Sequence, residues 1–73
     1  MTTIVELRRS ASERLRITLR EYHGRTFIDM RVWFATGSGE YQASSKGITL
    51  RPEQVAEVCQ GLMLAARAID PVR

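Results

Sequence analysis

The sequence is short of the devices that small domains use to hold themselves together. It has one cysteine, Cys59, and one histidine, His23, in 73 residues. An internal disulfide is therefore excluded, and a metal cluster has too few of the usual ligands. A lone thiol fits a reducing cytoplasm. No apolar run approaches the ~20 residues of a membrane span, and the opening MTTIVELRRS has no apolar stretch of signal-peptide length. The expectation is a soluble cytoplasmic protein with no membrane contact. Catalytic patterns are missing too. His23 stands alone in a turn, and Cys59 lies on an apolar helical stripe as a small core residue. The Gly37-Ser38-Gly39 tip lacks the further glycine of a dinucleotide loop and opens no helix. Glu53 and Glu57 share a helix face with nothing else to support acid–base work. The chain is expected not to be an enzyme and to need no cofactor or metal.

What the sequence does have is arginine. Ten of its eleven basic residues are Arg, and the net charge is +3. The excess is uneven: residues 1–51 carry nine basic and five acidic side chains, residues 52–73 two and three. Guanidinium groups suit bidentate phosphate contacts and stacking on planar groups, although an arginine-rich genome gives the same bias. The asymmetry points weakly to a polyanionic partner. The length allows one domain, residues 1–73, which is marginal alone, and oligomerisation is the common remedy.

Periodicity organises the chain. Residues 3–9, TIVELRR, are a short extended piece, with Ile4 and Glu6 on one face and Val5 and Leu7 on the other. Ser10 to Glu13 read as a polar turn. From Arg14 to Tyr22, Leu15, Ile17 and Leu19 alternate with Arg14, Arg16, Thr18, Arg20 and Tyr22, the period of a strand with one buried face. His23-Gly24 is a hairpin turn candidate. From Arg25 to Phe34, Thr26, Ile28, Met30 and Val32 alternate with Arg25, Phe27, Asp29, Arg31 and Trp33. A loop follows, then short extended pieces at Tyr41–Ser45 and Gly47–Leu50. Residues 52–69 form the helix: Pro52 suits its first position, Glu53 its first turn, and Pro71 ends it. Val55, Val58, Cys59, Leu62, Ala66 and Ile69 make its apolar stripe. The fold class is α+β: a sheet over 14–50, preceded by a strand or arm over 1–9 and covered on one face by the helix.

The uncovered face carries chemistry. Arg14, Arg16, Arg20 and Tyr22 lie beside Arg25, Phe27 and Arg31 of the hairpin partner. Like charges paired across strands repel, and a visiting anion relieves that cost. Rings among cations give bases a platform, so the face suits an unpaired nucleic acid. The same pattern also fits solvated outward positions, with Asp29 and Glu21 neutralising part of the field and a partner subunit covering Phe27 and Trp33.

Two blocks then carry a resemblance. FIDMR, Phe27 to Arg31, and KGITLRPEQ, Lys46 to Gln54, stand in the order and spacing of the single-stranded-DNA-binding domain of the positive cofactor four family of transcriptional coactivators. The likeness spans residues 14 to about 69. It resembles the short bacterial-type members, and it implies a curved antiparallel sheet of four to five strands, one long C-terminal helix, and a homodimer. It further implies that Arg20, Tyr22, Arg25, Arg31, Phe34 and Lys46 contact the strand; Arg14 and Arg16, from the alternating face, and His23, where a lysine is usual, are secondary candidates. The sequence departs from the family at Tyr22 (usually phenylalanine), at Phe34 (tryptophan in eukaryotic members), at His23 and Gln42 (usually lysine), and at Ser45 (usually basic). Simple alternation sets Phe34 on the Met30 side, away from Arg31, and a bulge near Val32 or Trp33 is needed to bring them together. Lys46 is then a phosphate contact at the rim, and Gly47 a point of close approach.

The resemblance implies a dimeric binder of single-stranded or melted DNA with little sequence preference, acting in transcription or DNA maintenance, in the cytoplasm or on a nucleoid. The alternatives are a protein-interaction module docking on the transcription machinery, and an RNA-binding protein that uses the same sheet.

Overall fold

The structure is a computed structural model that describes residues 2–70. Four strands follow in order: β1 (Thr2–Arg8), β2 (Glu13–Tyr22), β3 (Arg25–Ala35) and β4 (Tyr41–Leu50). A single 3-10 turn (Pro52–Gln54) then leads into helix α1 (Val55–Ile69). The strands form one open antiparallel sheet in the order β1-β2-β3-β4. The expected helix start at residue 52 is thus right in place, but its first turn is 3-10. There the Gln54 side chain accepts from the Arg51 amide at 3.0 Å, one arm of a capping box.

Strands β2 and β3 pair without interruption, from Tyr22↔Arg25 to Glu13↔Phe34. This register is the one that period-two alternation demands, because a one-residue slip would put arginines among the leucines. The hairpin closes through His23 and Gly24, with φ of 52° and 76°. Positive φ at both central residues matches the right-handed strand twist.

Two irregularities change the expected faces. In β1 the register shifts between Thr3 and Val5. The bulge turns Ile4 toward the apolar side, where it lines a cleft with Ile17 and Leu19. Ile4 and Glu6 therefore do not share a face as alternation implied, since Glu6 pairs with Arg16 on the arginine side. In β4 the partners jump from Arg31↔Gly47 to Trp33↔Ala43. Ser44 to Lys46 bulge out opposite Val32, and the two short pieces read from the sequence are one strand. Ser44 fastens the bulge: its hydroxyl donates to the Val32 carbonyl at 2.7 Å and accepts from the Lys46 amide at 3.0 Å.

The helix does not cover the sheet as expected. It shares one apolar cleft with it, lined by Leu19, Ile28 and Leu50 below and Val55, Val58 and Leu62 above. Beyond that, Leu62, Met63, Leu64 and Ile69 are 57–86% exposed. Cys59, expected in a core, is exposed as well. Val32 is the one buried hydrophobic residue among those described. The radius of gyration is 14.4 Å, against about 11 Å for a compact chain of this length. The helical stripe is real: Val55, Val58, Cys59 and Leu62 line the cleft with the sheet, while Ile69 at its far end is 86% exposed.

Candidate nucleic-acid interface

The register gathers the predicted cations on one face. Across β2 and β3 the pairs are Arg14↔Trp33, Arg16↔Arg31, Thr18↔Asp29, Arg20↔Phe27 and Tyr22↔Arg25. Three zones follow along the strands, and they differ in how free their charges are.

At the hairpin end, Arg20, Tyr22, Arg25 and Phe27 stand together. Tyr22 is 68% exposed. Its ring meets His23 edge-on, with centroids 4.1 Å apart. A shallow hollow lies between Arg20, Tyr22, Phe27 and Thr49. Neither Arg20 nor Arg25 has an ion-pair partner among the described residues. This zone offers open cations beside an open ring, which is what a phosphate and an unstacked base require.

The centre is closed. Arg31 grips Asp29 with two parallel bonds, Nε to Oδ2 at 3.1 Å and Nη2 to Oδ1 at 3.0 Å. Its Nη1 donates to the Ser44 carbonyl at 3.0 Å, and Thr49 Oγ1 donates to Asp29 at 3.2 Å. Asp29 is 2% exposed. The hydrogen bonds Arg31 donates to Asp29, opposed by burial and helped by the carboxylate's charge, push the guanidinium above its already high ordinary pKa. Gly47 makes room for this arrangement. A Cβ there would lie 2.7 Å from the Met30 carbonyl and 2.8 Å from the Arg31 side chain. Arg31, expected to contact a strand, holds a buried carboxylate and keeps 18% of its side chain exposed.

The far end stacks cations on rings. The Arg16 guanidinium lies 4.6 Å from the centroid of Trp33 and 5.4 Å from that of Tyr41. Arg14 lies 5.1 Å from the same Tyr41 ring. Arg14 Nη1 donates to the carbonyls of Ser10 and Glu13, both at 2.9 Å. Arg16 Nε donates to Glu6 at 2.7 Å. Alternation placed Trp33 on this face, but gave Tyr41 and Glu6 no role here. Tyr41 was recoverable: the β4 bulge adds an even number of residues, so alternation from Thr49 through Gly47 reaches Tyr41 on the arginine face.

Two expected residues lie elsewhere. The bulge that was to carry Phe34 across falls in β4, not β3, and leaves β3 in phase with β2. Phe34 pairs with Glu13 and Gln42 on the Met30 side. It is 37% exposed, so it is neither core nor part of the arginine face. Lys46, inside the bulge, lines a hollow with Arg9, Leu15, Met30 and Val32 on that same side. His23 sits at the apex of the hairpin. Among the described residues no group of His, Cys, Asp and Glu is placed to hold a metal ion. Among the described residues no helix is long and apolar enough to cross a membrane.

The sequence profile of the Transcriptional Coactivator p15 (PC4) family matches residues 9–61. The chain belongs to the PC4 family. Its fold is that of solved PC4 relatives. Two crystal forms of BPSL1147, a PC4 homologue from Burkholderia pseudomallei, are 41% identical and superpose with a TM-score of 0.87. The match covers 90% of this chain and 89% or 97% of theirs. A bacteriophage T5 PC4 homologue, implicated in recombination-dependent DNA replication, has a TM-score of 0.62 at 22% identity, over 93% of this chain and 74% of its own. That likeness speaks for the fold alone. No curated protein matches the chain. The sequence resemblance drawn from FIDMR and KGITLRPEQ is therefore upheld, together with the open antiparallel sheet and C-terminal helix of the PC4 fold.

Proposed function

We propose that this PC4-family chain is a dimeric, non-enzymatic binder of single-stranded or melted DNA with little sequence preference, acting in transcription or DNA maintenance in the cytoplasm or on a nucleoid. The observation that carries the reading is the hairpin zone, where Arg20 and Arg25, with no ion-pair partner among the described residues, flank the exposed Tyr22. Phosphates meet cations there and a splayed base meets a ring, with no donor pattern that would select one base. Arg14 and Arg16 extend the same face toward the far end. Phe34 and Lys46 lie outside it. The dimer is supported by the exposed helical stripe and the cleft beneath it, apolar surface that a second copy of the chain covers economically.

The test is a titration of a labelled oligonucleotide at two salt concentrations, with matched single-stranded DNA, duplex DNA and RNA. Single-stranded DNA is expected to bind tightest, with log affinity falling by about 0.7 per phosphate neutralised for each unit of log salt. Affinity independent of salt favours a protein-docking role. Preference for RNA moves the same face to the other nucleic acid.

A further inference from the structure

The far end of the arginine face holds one acid among several cations. Across the sheet, Glu6 pairs with Arg16 and Arg8 with Arg14. Asp29 is already spent on Arg31. Arg8 has no ion-pair partner among the described residues, and Arg14 is held by backbone carbonyls. Glu13 pairs with Arg9, and Glu6 is the carboxylate that meets Arg16 on this face.

Its partner is unusually fixed. Arg16 is clamped over Trp33 and Tyr41 and retains 21% of its side-chain exposure, whereas Glu6, on the edge strand, retains 44%. A carboxylate oxygen on a guanidinium N–H makes the same short, charge-assisted contact that a phosphate oxygen makes. The rings position the cation, and the acid is the exchangeable member. The Trp33 indole N–H is buried with no acceptor among the described residues, as is the Thr18 hydroxyl.

We propose that Glu6 is an internal stand-in for phosphate at Arg16, and that an unpaired strand running the length of the arginine face displaces it. The inference rests on the single-strand reading above. Tyr22 and Arg16 are six residues apart on one strand, about 20 Å at ~3.3 Å per residue. Strands too short to span that distance bind the hairpin zone alone and leave the Glu6–Arg16 pair intact. Glu6 therefore lowers affinity and favours longer strands.

A double-mutant cycle tests this, using Glu6→Gln, Arg16→Met and both together. Methionine keeps an apolar stem over the rings. The probe is oligothymidylate of about twelve nucleotides, within the range of single-strand site sizes. Affinity is read by labelled-strand anisotropy at low salt. Trp33 is the sole tryptophan, so its fluorescence reports the far end independently. Glu6→Gln is expected to tighten binding by about two- to fivefold, a modest effect as for a partly exposed ion pair. The gain is expected to vanish in the Arg16→Met background, and Trp33 emission is expected to shift with the long strand but not with a dinucleotide. Equal affinity of wild type and Glu6→Gln overturns the proposal. So does an equal gain in both backgrounds, which means general charge repulsion, or a silent Trp33 at saturation. If wild type binds no strand, the functional reading itself fails. If it binds and Tyr22→Ala weakens it while the cycle shows no coupling, this inference alone fails.

Discussion

The two faces of the sheet reverse the usual order of burial. On the arginine face Thr18 is fully buried and Asp29 is 2% exposed, beneath long side chains and rings. On the apolar face Val5, Leu7, Leu19 and Ile48 are 36–53% exposed. A polar face covers itself when arginines have rings to lie on and carboxylates to grip. An apolar face has no such resource and must be covered by another layer. The single helix reaches one end of it. The difference teaches that the cation face is largely finished within one chain, whereas the apolar face is completed by a second copy under the reading proposed above.

The comparison breaks most sharply at Arg31. Arg31→Ala leaves Asp29 charged and buried, and removing one partner of such a pair costs about 3–5 kcal/mol. Chemical denaturation is expected to show this loss. A variant as stable as the parent means that the centre of the arginine face is not closed as described. A smaller loss is expected from Gly47→Ala, which drives a Cβ into the Met30 carbonyl and the Arg31 stem. Overpacking of this kind costs about 1–3 kcal/mol, again read from the denaturation midpoint.

The opposite face is tested by Leu62→Asp, which puts a charge in the middle of the exposed stripe. Light scattering at micromolar concentration is expected to show a dimer for the parent and a monomer for the variant. A parent that is already monomeric contradicts the assignment of the apolar surface to a second copy. The smallest effect is expected from Lys46→Ala. The family resemblance implies a contact, but the bulge places Lys46 beside Leu15 and Val32, behind the arginine face. Affinity is expected to fall by less than about threefold, as for a rim charge. A tenfold loss means that the strand wraps over the β4 edge.

Much of this was legible in the sequence, for a definite reason. Period-two alternation over Arg14–Phe34 fixes both faces and the register of the long hairpin at once, because any slip exposes leucines and buries arginines. Pro52 and the Val55–Ile69 stripe locate the helix. Three things were hidden. A helical stripe looks the same whether the chain's own sheet or another copy covers it, so the open cleft over Leu19 and Ile28 left no trace. The β4 bulge adds two residues without changing parity, so only Gly47 marked it. Asp29 and Arg31 stand two apart on one strand face, a spacing that allows their pairing. With an anion-binding role in view, the guanidinium was assigned outward when its nearest anion was its neighbour.

The measurement that bears most directly on the arginine face is salt-dependent single-strand binding by the parent and by Tyr22→Ala/Arg25→Ala. Both positions are exposed at the hairpin end, so the fold is expected to survive. Loss of one ring is worth about 1–3 kcal/mol per stacked base, and loss of one phosphate contact lowers the salt slope by about 0.7. The account predicts at least a tenfold weaker and visibly less salt-sensitive complex. An unchanged affinity and slope, with the parent binding single strands, would place the strand on another surface and contradict it.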